Sequence, residues 1–205
     1  MDKRVVIAVA GGSGSGKSTL VRQLSDMFGA AVAVLRQDDY YKPHSGLSFE
    51  ERKALNYDSP DAFDTELLES HISSLKNGEG VDVPTYDFAR HDRSGLTHRV
   101  EPADVLIVEG IYLLADERLR SLCDLRVFID ADADTRLIRR IKRDVNERGR
   151  DLDGIIEQYV ATVKPMHEAH IEPSRKFADV IVPMGGCNAA AVDMIGKYIS
   201  RCLSH

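Results

Sequence analysis

Residues 5–19 read Val5-Val6-Ile7-Ala8-Val9-Ala10-Gly11-Gly12-Ser13-Gly14-Ser15-Gly16-Lys17-Ser18-Thr19. An uninterrupted apolar run of strand length suits a strand buried on both faces of a parallel sheet. The glycine-rich turn after it matches GxxxxGK[ST], for which a chance match in a chain this long has odds of roughly one in a hundred. Leu20, Val21, Leu24 and Phe28 then recur at helical spacing. Strand, turn and amphipathic helix in that order open a parallel α/β sheet.

The turn carries chemistry because of its residue types. Glycines let successive backbone N–H groups curl around one anion, and the helix start adds the positive end of its dipole. Lys17 supplies a point charge for β- and γ-phosphates, and the Ser18 hydroxyl is a ligand for Mg²⁺. A Gly/Ser turn that binds nothing would have no packing reason for a lysine and a hydroxyl at the helix start.

Working outward, residues 32–35 read as a second strand, 105–108 as a third ending at Glu109-Gly110, 125–129 as a fourth, and 180–182 as a short fifth before Pro183. Helices are expected from the Asp64 cap to a stop before Gly78, from about Asp132 into an arginine-rich stretch, over 153–163, and from Asn188 to about Cys202. Residues 81–100 break this rhythm. With Pro84 and the turn Asp92-Arg93-Ser94-Gly95 they read as a β-hairpin inserted into the sheet. No repeat or linker is visible, so a single domain over residues 1–205 is expected.

Composition narrows the partners. The chain has 205 residues, 43% hydrophobic and 29% charged, with a net charge of -6. A general nucleic-acid binder is usually basic, which argues against a nucleic-acid partner. The three cysteines, Cys123, Cys187 and Cys202, lie far apart and form no CxxC pair. Reduced thiols and a cytoplasmic location are the plain reading. The apolar runs are far below the ~20 residues of a membrane span, so no membrane partner is expected.

Three further features point at phosphate chemistry. Glu109, at a strand end, is placed to orient a Mg²⁺-bound water, or else to cap the following turn. Arg136, Arg139, Arg140, Lys142, Arg143, Arg148 and Arg150 crowd into an acidic protein. Arg136, Arg140 and Arg143 share a helix face. Cations that close over a transferring phosphoryl group lower its barrier. A mobile lid bending at Gly149 is one reading, and a solvated face partly balanced by Asp144 and Glu147 is the other. The second strand runs into Gln37-Asp38-Asp39-Tyr40-Tyr41-Lys42, and ligands of open α/β sheets bind beyond the carboxyl ends of strands. Asp38 there could take a proton from an attacking hydroxyl or hold a Mg²⁺ water. Asp39 suits a turn cap, and the two tyrosines suit packing. The GTPase motif NKxD is absent.

These segments resemble the uridine kinase (uridine–cytidine kinase) family of P-loop kinases. The matching stretches are residues 37–42, Asn56-Tyr57-Asp58-Ser59-Pro60-Asp61-Ala62-Phe63-Asp64, Pro84-Thr85-Tyr86-Asp87-Phe88, Glu109-Gly110-Ile111, and residues 144–151 with Glu147-Arg148-Gly149-Arg150. Lys164-Pro165 and Ile171-Glu172-Pro173 also match. The resemblance implies an α/β, P-loop NTPase-type parallel five-stranded sheet flanked by helices, with an inserted β-hairpin and an Arg-rich lid. It implies transfer from ATP (or GTP), with Mg²⁺, to the 5′-hydroxyl of uridine or cytidine, by a homotetramer.

Site roles follow from the same resemblance. Gly11, Gly12, Ser13, Gly14, Ser15, Gly16, Lys17, Ser18 and Thr19 would hold the triphosphate, and Asp38 would be the general base, with Asp39 the alternative. Asp58 and Arg140 would meet the ribose hydroxyls, while Tyr86, His91 and Arg150 would meet the pyrimidine, with Gln158 also lining the site. Arg143 and Arg148 would face the phosphates, and Ser18, Glu109 and Asp38 would serve the metal. Rival readings are a phosphoribulokinase- or pantothenate-kinase-like enzyme, or an ATP sensor that transfers nothing. His167-Glu168-Ala169-His170 is one residue short of HExxH and reads as helix surface with no metal.

Overall fold

The computed structural model describes residues 4–204. Strand β1 (Val5–Ala10) leads through the glycine turn to α1 (Lys17–Phe28), and β2 (Val32–Arg36) follows. Next come α2 (Phe49–Lys53), α3 (Thr65–Lys76), the hairpin strands β3 (Val81–Asp87) and β4 (Asp92–Val100), and β5 (Val105–Gly110). Then α4 (Glu117–Ser121), β6 (Leu125–Ile129), α5 (Ala133–Arg148), α6 (Leu152–Gln158) and β7 (Val180–Val182) lead to a C-terminal helix, Ala189–Cys202.

The main sheet has five parallel strands in the order β2-β5-β1-β6-β7. The period-two rule decides which side each residue of β1 serves. Val6, Ala8 and Ala10 pack into one core with Leu68, Ile72 and Leu75 of α3. Ile7 and Val9 pack into the other with Leu20, Val21 and Leu24 of α1 and Ile195 and Ile199 of the C-terminal helix. Both faces are covered, which is why the strand carries no polar residue. The register Ala10↔Gly110 and Arg36↔Glu109 brings the carboxyl ends of β1, β2 and β5 to one edge. Every candidate phosphate-binding group leaves from that edge or from α5.

The sequence signals for capping hold. Asp64 accepts from the Leu67 N–H at 3.2 Å, and Asn188 accepts from the Ala191 N–H at 3.1 Å. Three expectations need correction. The hairpin is not part of the main sheet: β3 and β4 form a separate two-stranded sheet. Its turn falls at 88–91 rather than at Asp92-Arg93-Ser94-Gly95, with His91 in the left-handed region at φ 51°. The helix expected over 153–163 does not stop ahead of Pro165. It continues to Phe177 through π-helical turns at Tyr159–Val163 and His167–Ile171. Pro165 and Pro173 each follow such a turn. A proline has no N–H to give the carbonyl four residues back, and the wider turn absorbs that loss.

The third correction concerns His167, which is buried rather than on a helix surface. Its ring lies against the phosphate loop, where a Cβ added to Gly12 would meet its Nδ1 at 3.0 Å. Burial, helped by the charge of Arg136, pulls its pKa down to about 4, so the ring stays neutral.

The hairpin is tied down at its tip. Asp92 is buried and accepts from the His44 N–H at 2.8 Å, from the Arg93 N–H at 2.9 Å and from Arg52 at 2.8 Å. This hooks the 44–53 segment to the base of His91. Asp92→Ala strips three donors of their acceptor at a site with little solvent. A stability loss of about 1–3 kcal/mol is expected, read as a lower denaturant midpoint with unchanged slope. An unchanged midpoint would mean the hook carries no weight.

Candidate active site

Backbone geometry builds the phosphate loop. Gly14 has φ 77°, and a Cβ there would run into the Arg136 carbonyl. Gly16 caps α1 in the left-handed region at φ 102°. Side chains other than hydrogen would strain both positions. Lys17 folds back and donates to the Gly11 and Gly12 carbonyls at 2.8 and 3.0 Å. Its ammonium is thus parked at the loop mouth. Burial pulls its pKa down to about 8, against the opposing charges of Glu109 and Asp38.

In front of the loop lies a cavity of about 590 Å³. Ser13, Gly14, Gly16, Lys17, Ser18 and Thr19 line it from the loop, and Asp38, Asp58, Glu109, Arg140, Arg143 and Arg148 line it from elsewhere. Gly11, Gly12 and Ser15 sit behind this wall and shape the loop. Asp38 leaves β2 on a 3₁₀ turn, Gln37–Tyr40. That turn is anchored by Gln37, which is buried and accepts from the Tyr112 N–H at 2.9 Å. Gly110 has no side chain because the Gln37 side chain occupies that space. Asp38 itself makes no hydrogen bond or ion pair among the described residues. It is a free carboxylate facing the cavity. Asp39 lines the same cavity, and burial raises its pKa to about 6 despite nearby His98 and Arg36. Tyr40 packs as expected, buried with its hydroxyl 2.9 Å from His71 Nδ1. Tyr41 packs too, but it also walls the cavity.

Glu109 is buried beside Lys17 and Ser18. Burial raises its pKa, while the Ser18 hydroxyl and the Lys17 charge oppose the rise. Its Oε1 meets Arg36 at 3.3 Å, but its Oε2 is buried without a hydrogen-bond partner. A buried carboxylate oxygen facing a hydroxyl and a phosphate loop fits a divalent cation. Among the described residues no three His, Cys, Asp or Glu side chains converge on one metal position. Mg²⁺ needs no such cage, since it takes one or two carboxylates and completes its shell with phosphates and water.

A recess opens from the cavity toward the hairpin. Tyr57, Tyr86, His91, Arg150 and Gln158 line it, and Tyr41, Asp58, Phe88, Arg140 and Arg148 are shared with the larger cavity. His91 is held from two sides: its ring stacks on Tyr57 with centroids 5.1 Å apart, and its carbonyl accepts from the Tyr57 hydroxyl at 3.1 Å. Burial, with Arg150 and Arg52 nearby, lowers its pKa and keeps it neutral. The Tyr86 hydroxyl is buried. The Tyr57 hydroxyl lies close enough to interact with it, and Tyr86 lines the recess.

Asp58 sits where the two spaces meet. Its Oδ2 accepts from Gln158 and from Thr162, each at 2.8 Å, and its Oδ1 is left open. Gln158 in turn accepts from Arg140 at 2.9 Å and from Arg150 at 2.7 Å. Arg140 also reaches the Ser13 hydroxyl at 3.0 Å.

Apart from Gly11, Gly12 and Ser15, the expected site residues therefore line one cleft, while Lys142 of the basic stretch is exposed outside it. Sequence reasoning missed Thr162, Phe88 and the buried face of α5. Thr162 falls one helical turn after Gln158, a spacing that could have flagged it. Phe88 supports Arg148, whose guanidinium carbon lies 3.9 Å from the ring centroid. Nothing in the sequence marks that contact. The solvated-face reading of the arginines fails, because Arg136, Arg140 and Asp144 are buried.

Residues 6–191 match the family model described as phosphoribulokinase / uridine kinase. A uridine kinase of Anoxybacillus flavithermus is 54% identical over 202 residues, which cover 98% of this chain and 96% of that protein. A uridine kinase of Streptococcus uberis is 51% identical over 203 residues, covering 98% and 97%. The solved structure of a candidate fructose transport system kinase from Silicibacter sp. is similar with a TM-score of 0.71 at 26% identity, covering 89% of this chain and 91% of that one. No helix among the described residues is long and apolar enough to cross a membrane.

The parked lysine gives a pH test. A triphosphate stabilises the charged form of Lys17, whose pKa in the free protein is about 8. Binding then takes up a proton above that pH, and affinity falls as pH rises. Calorimetry with a non-hydrolysable ATP analogue and Mg²⁺ should show binding weaker by roughly tenfold at about pH 9 than at about pH 7. Affinity that stays level across the range would show Lys17 already fully charged.

Proposed function

The chain belongs to the phosphoribulokinase/uridine kinase family, and from that premise we propose that it transfers the γ-phosphoryl group of ATP to the 5′-hydroxyl of uridine or cytidine. The supporting observation is the continuity of the two spaces. A phosphate loop and an aromatic recess open into each other, with Asp58 at the junction and Asp38 on the phosphate side of it.

In this reading the loop amides and Lys17 take the β- and γ-phosphates. Mg²⁺, held by Ser18 and Glu109 with Asp38 reaching it through water, would offset charge on the phosphates. Asp58 has an open carboxylate oxygen for the ribose 2′- and 3′-hydroxyls, with Arg140 beside it. Its hold on Gln158 and Thr162 keeps that oxygen aimed. The pyrimidine enters the recess, where Tyr86 offers its hydroxyl. Neutral His91 donates or accepts by choice of tautomer, and so suits either a carbonyl or an amine at position 4. Arg150 closes the recess from the helix end, and walls this near leave little room for a purine.

Docked so, the sugar presents its 5′-oxygen to the γ-phosphorus. Asp38, free of other partners, accepts the hydroxyl proton as the oxygen–phosphorus bond forms. The bond to the bridging oxygen of ADP breaks on the opposite side. Arg143 and Arg148 face the oxygens on which charge spreads. The chemistry asks for positioning and charge more than for covalent help.

An acceptor panel decides the matter. Uridine or cytidine should raise ADP release by about tenfold or more over the acceptor-free rate, with adenosine, guanosine, ribulose phosphate and pantothenate leaving it near baseline. Preference for ribulose phosphate or pantothenate would overturn the substrate assignment, and a rate indifferent to every acceptor would overturn transfer itself. In the same assay Asp38→Asn should lower kcat by about 10²–10⁴-fold with nucleoside affinity nearly unchanged. A loss below about tenfold would move the base to Asp39.

A further inference from the structure

Asp144 lies on the buried face of α5, and its carboxylate has no exposed surface (0%). Four arginines converge on it, and they divide between its two oxygens. Oδ1 accepts from Arg143 Nε at 2.8 Å, meets the same guanidinium's second nitrogen at 2.8 Å, and lies 3.5 Å from Arg148. Oδ2 lies 3.4 Å from Arg150 and 3.7 Å from Arg140. The main-chain carbonyl of Asp144 joins in by accepting the Gly149 and Arg150 N–H groups, the latter at 3.0 Å. Side chain and backbone of one residue thus hold the end of α5 and the turn after it.

The division runs across the two spaces of the cleft: Arg143 on Oδ1 lines only the cavity, Arg150 on Oδ2 lines only the recess, and Arg148 and Arg140 line both. Arg143 and Arg148, on Oδ1, line the cavity in front of the phosphate loop. Arg140 and Arg150, on Oδ2, are joined through Gln158 to Asp58. An unbroken polar path therefore runs from Asp58 through Gln158, Arg140 and Arg150 to one carboxylate, and on to Arg143 and Arg148. One buried carboxylate faces four cations, with Asp58 and Asp38 the further carboxylates acting on them, and a bound triphosphate would add negative charge beside Arg143 and Arg148.

We propose that Asp144 is a positioning residue that couples the two substrate subsites, so that a nucleoside held at Asp58 presets the arginines that meet the triphosphate. The inference rests on the nucleoside kinase reading above. A planar carboxylate cannot turn one oxygen without turning the other. Once a nucleoside orders Arg140 and Arg150 against Oδ2, the direction of Oδ1 is set, and the second ligand has less disorder to remove. Coupling of this kind is reciprocal in binding free energy.

The test is calorimetry on the intact protein with uridine and a non-hydrolysable ATP analogue plus Mg²⁺, each titrated with and without the other. Each ligand should tighten the other by about fivefold or more, and by the same factor in both directions. In Asp144→Asn both ligands should still bind and the factor should fall to about one. Asp144→Glu keeps the charge but shifts both oxygens by a methylene, so its factor should also fall. It carries the test if far-UV dichroism shows the Asn variant unfolded. Independent binding in the unaltered protein, or an unchanged factor in a folded variant of either kind, overturns the role of Asp144 and leaves the kinase reading standing. Failure of uridine and cytidine to bind at all overturns that reading and this inference together.

Discussion

The register of three parallel strands is the constraint on which the site depends. With Ala10 beside Gly110 and Arg36 beside Glu109, the phosphate loop, the Asp38 turn and the Glu109 carboxylate leave the sheet at one edge. A slip of one residue would turn every side chain of a strand to the opposite face. It would send Glu109 away from Lys17 and break the split of β1 between two cores. The apolar runs of β1 and β5, buried on nearly every position, are what hold that register, so the core residues position the chemistry without touching it.

Around that edge the cleft holds polar groups that the chain pairs weakly or not at all. Glu109 Oε2 is buried without a hydrogen-bond partner, the Tyr86 hydroxyl has only the Tyr57 hydroxyl nearby, and Arg140 Nε makes no contact beyond its 3.7 Å ion pair with Asp144. A folded protein rarely leaves such groups unsatisfied, and isolated cases are costly. Here they line one connected space and differ in kind: an acid beside the phosphate loop, a phenol in the aromatic recess, and a guanidinium between them. That sequence of chemistries suits a metal-bound phosphate, a base and a sugar in turn. Lys17, parked on two loop carbonyls with its pKa lowered, awaits an anion in the same sense.

Much of this was legible in the sequence, and the reasons are specific. Strands without polar residues and caps such as Asp64 and Asn188 carry local signals, so the sheet and most helices could be placed. The candidate site was legible because its residues lie in short dense segments with few other uses. What escaped depends on distance. The hairpin turn at 88–91 was masked by a better-looking turn at Asp92-Arg93-Ser94-Gly95, whereas Asp92 is spent on Arg52 and His44. The helix beyond Pro165 was lost because proline ordinarily ends a helix, and a π turn is a rare way around it. Asp144 looked like a counter-charge on a wet surface. Only the packing of α5 against the phosphate loop shows it buried at the centre of four arginines.

The central claim is that Asp38 stands between a nucleoside's primary alcohol and the terminal phosphorus of a triphosphate. A crystal structure of the complex with uridine, a non-hydrolysable ATP analogue and Mg²⁺ tests it most directly. The account requires the 5′-oxygen about 3–3.5 Å from the γ-phosphorus, in line with the bridging oxygen, and within hydrogen-bond reach of the Asp38 carboxylate. A sugar seated at Asp58 with its 5′-oxygen turned from the phosphorus, or a carboxylate other than Asp38 at that oxygen, would contradict it.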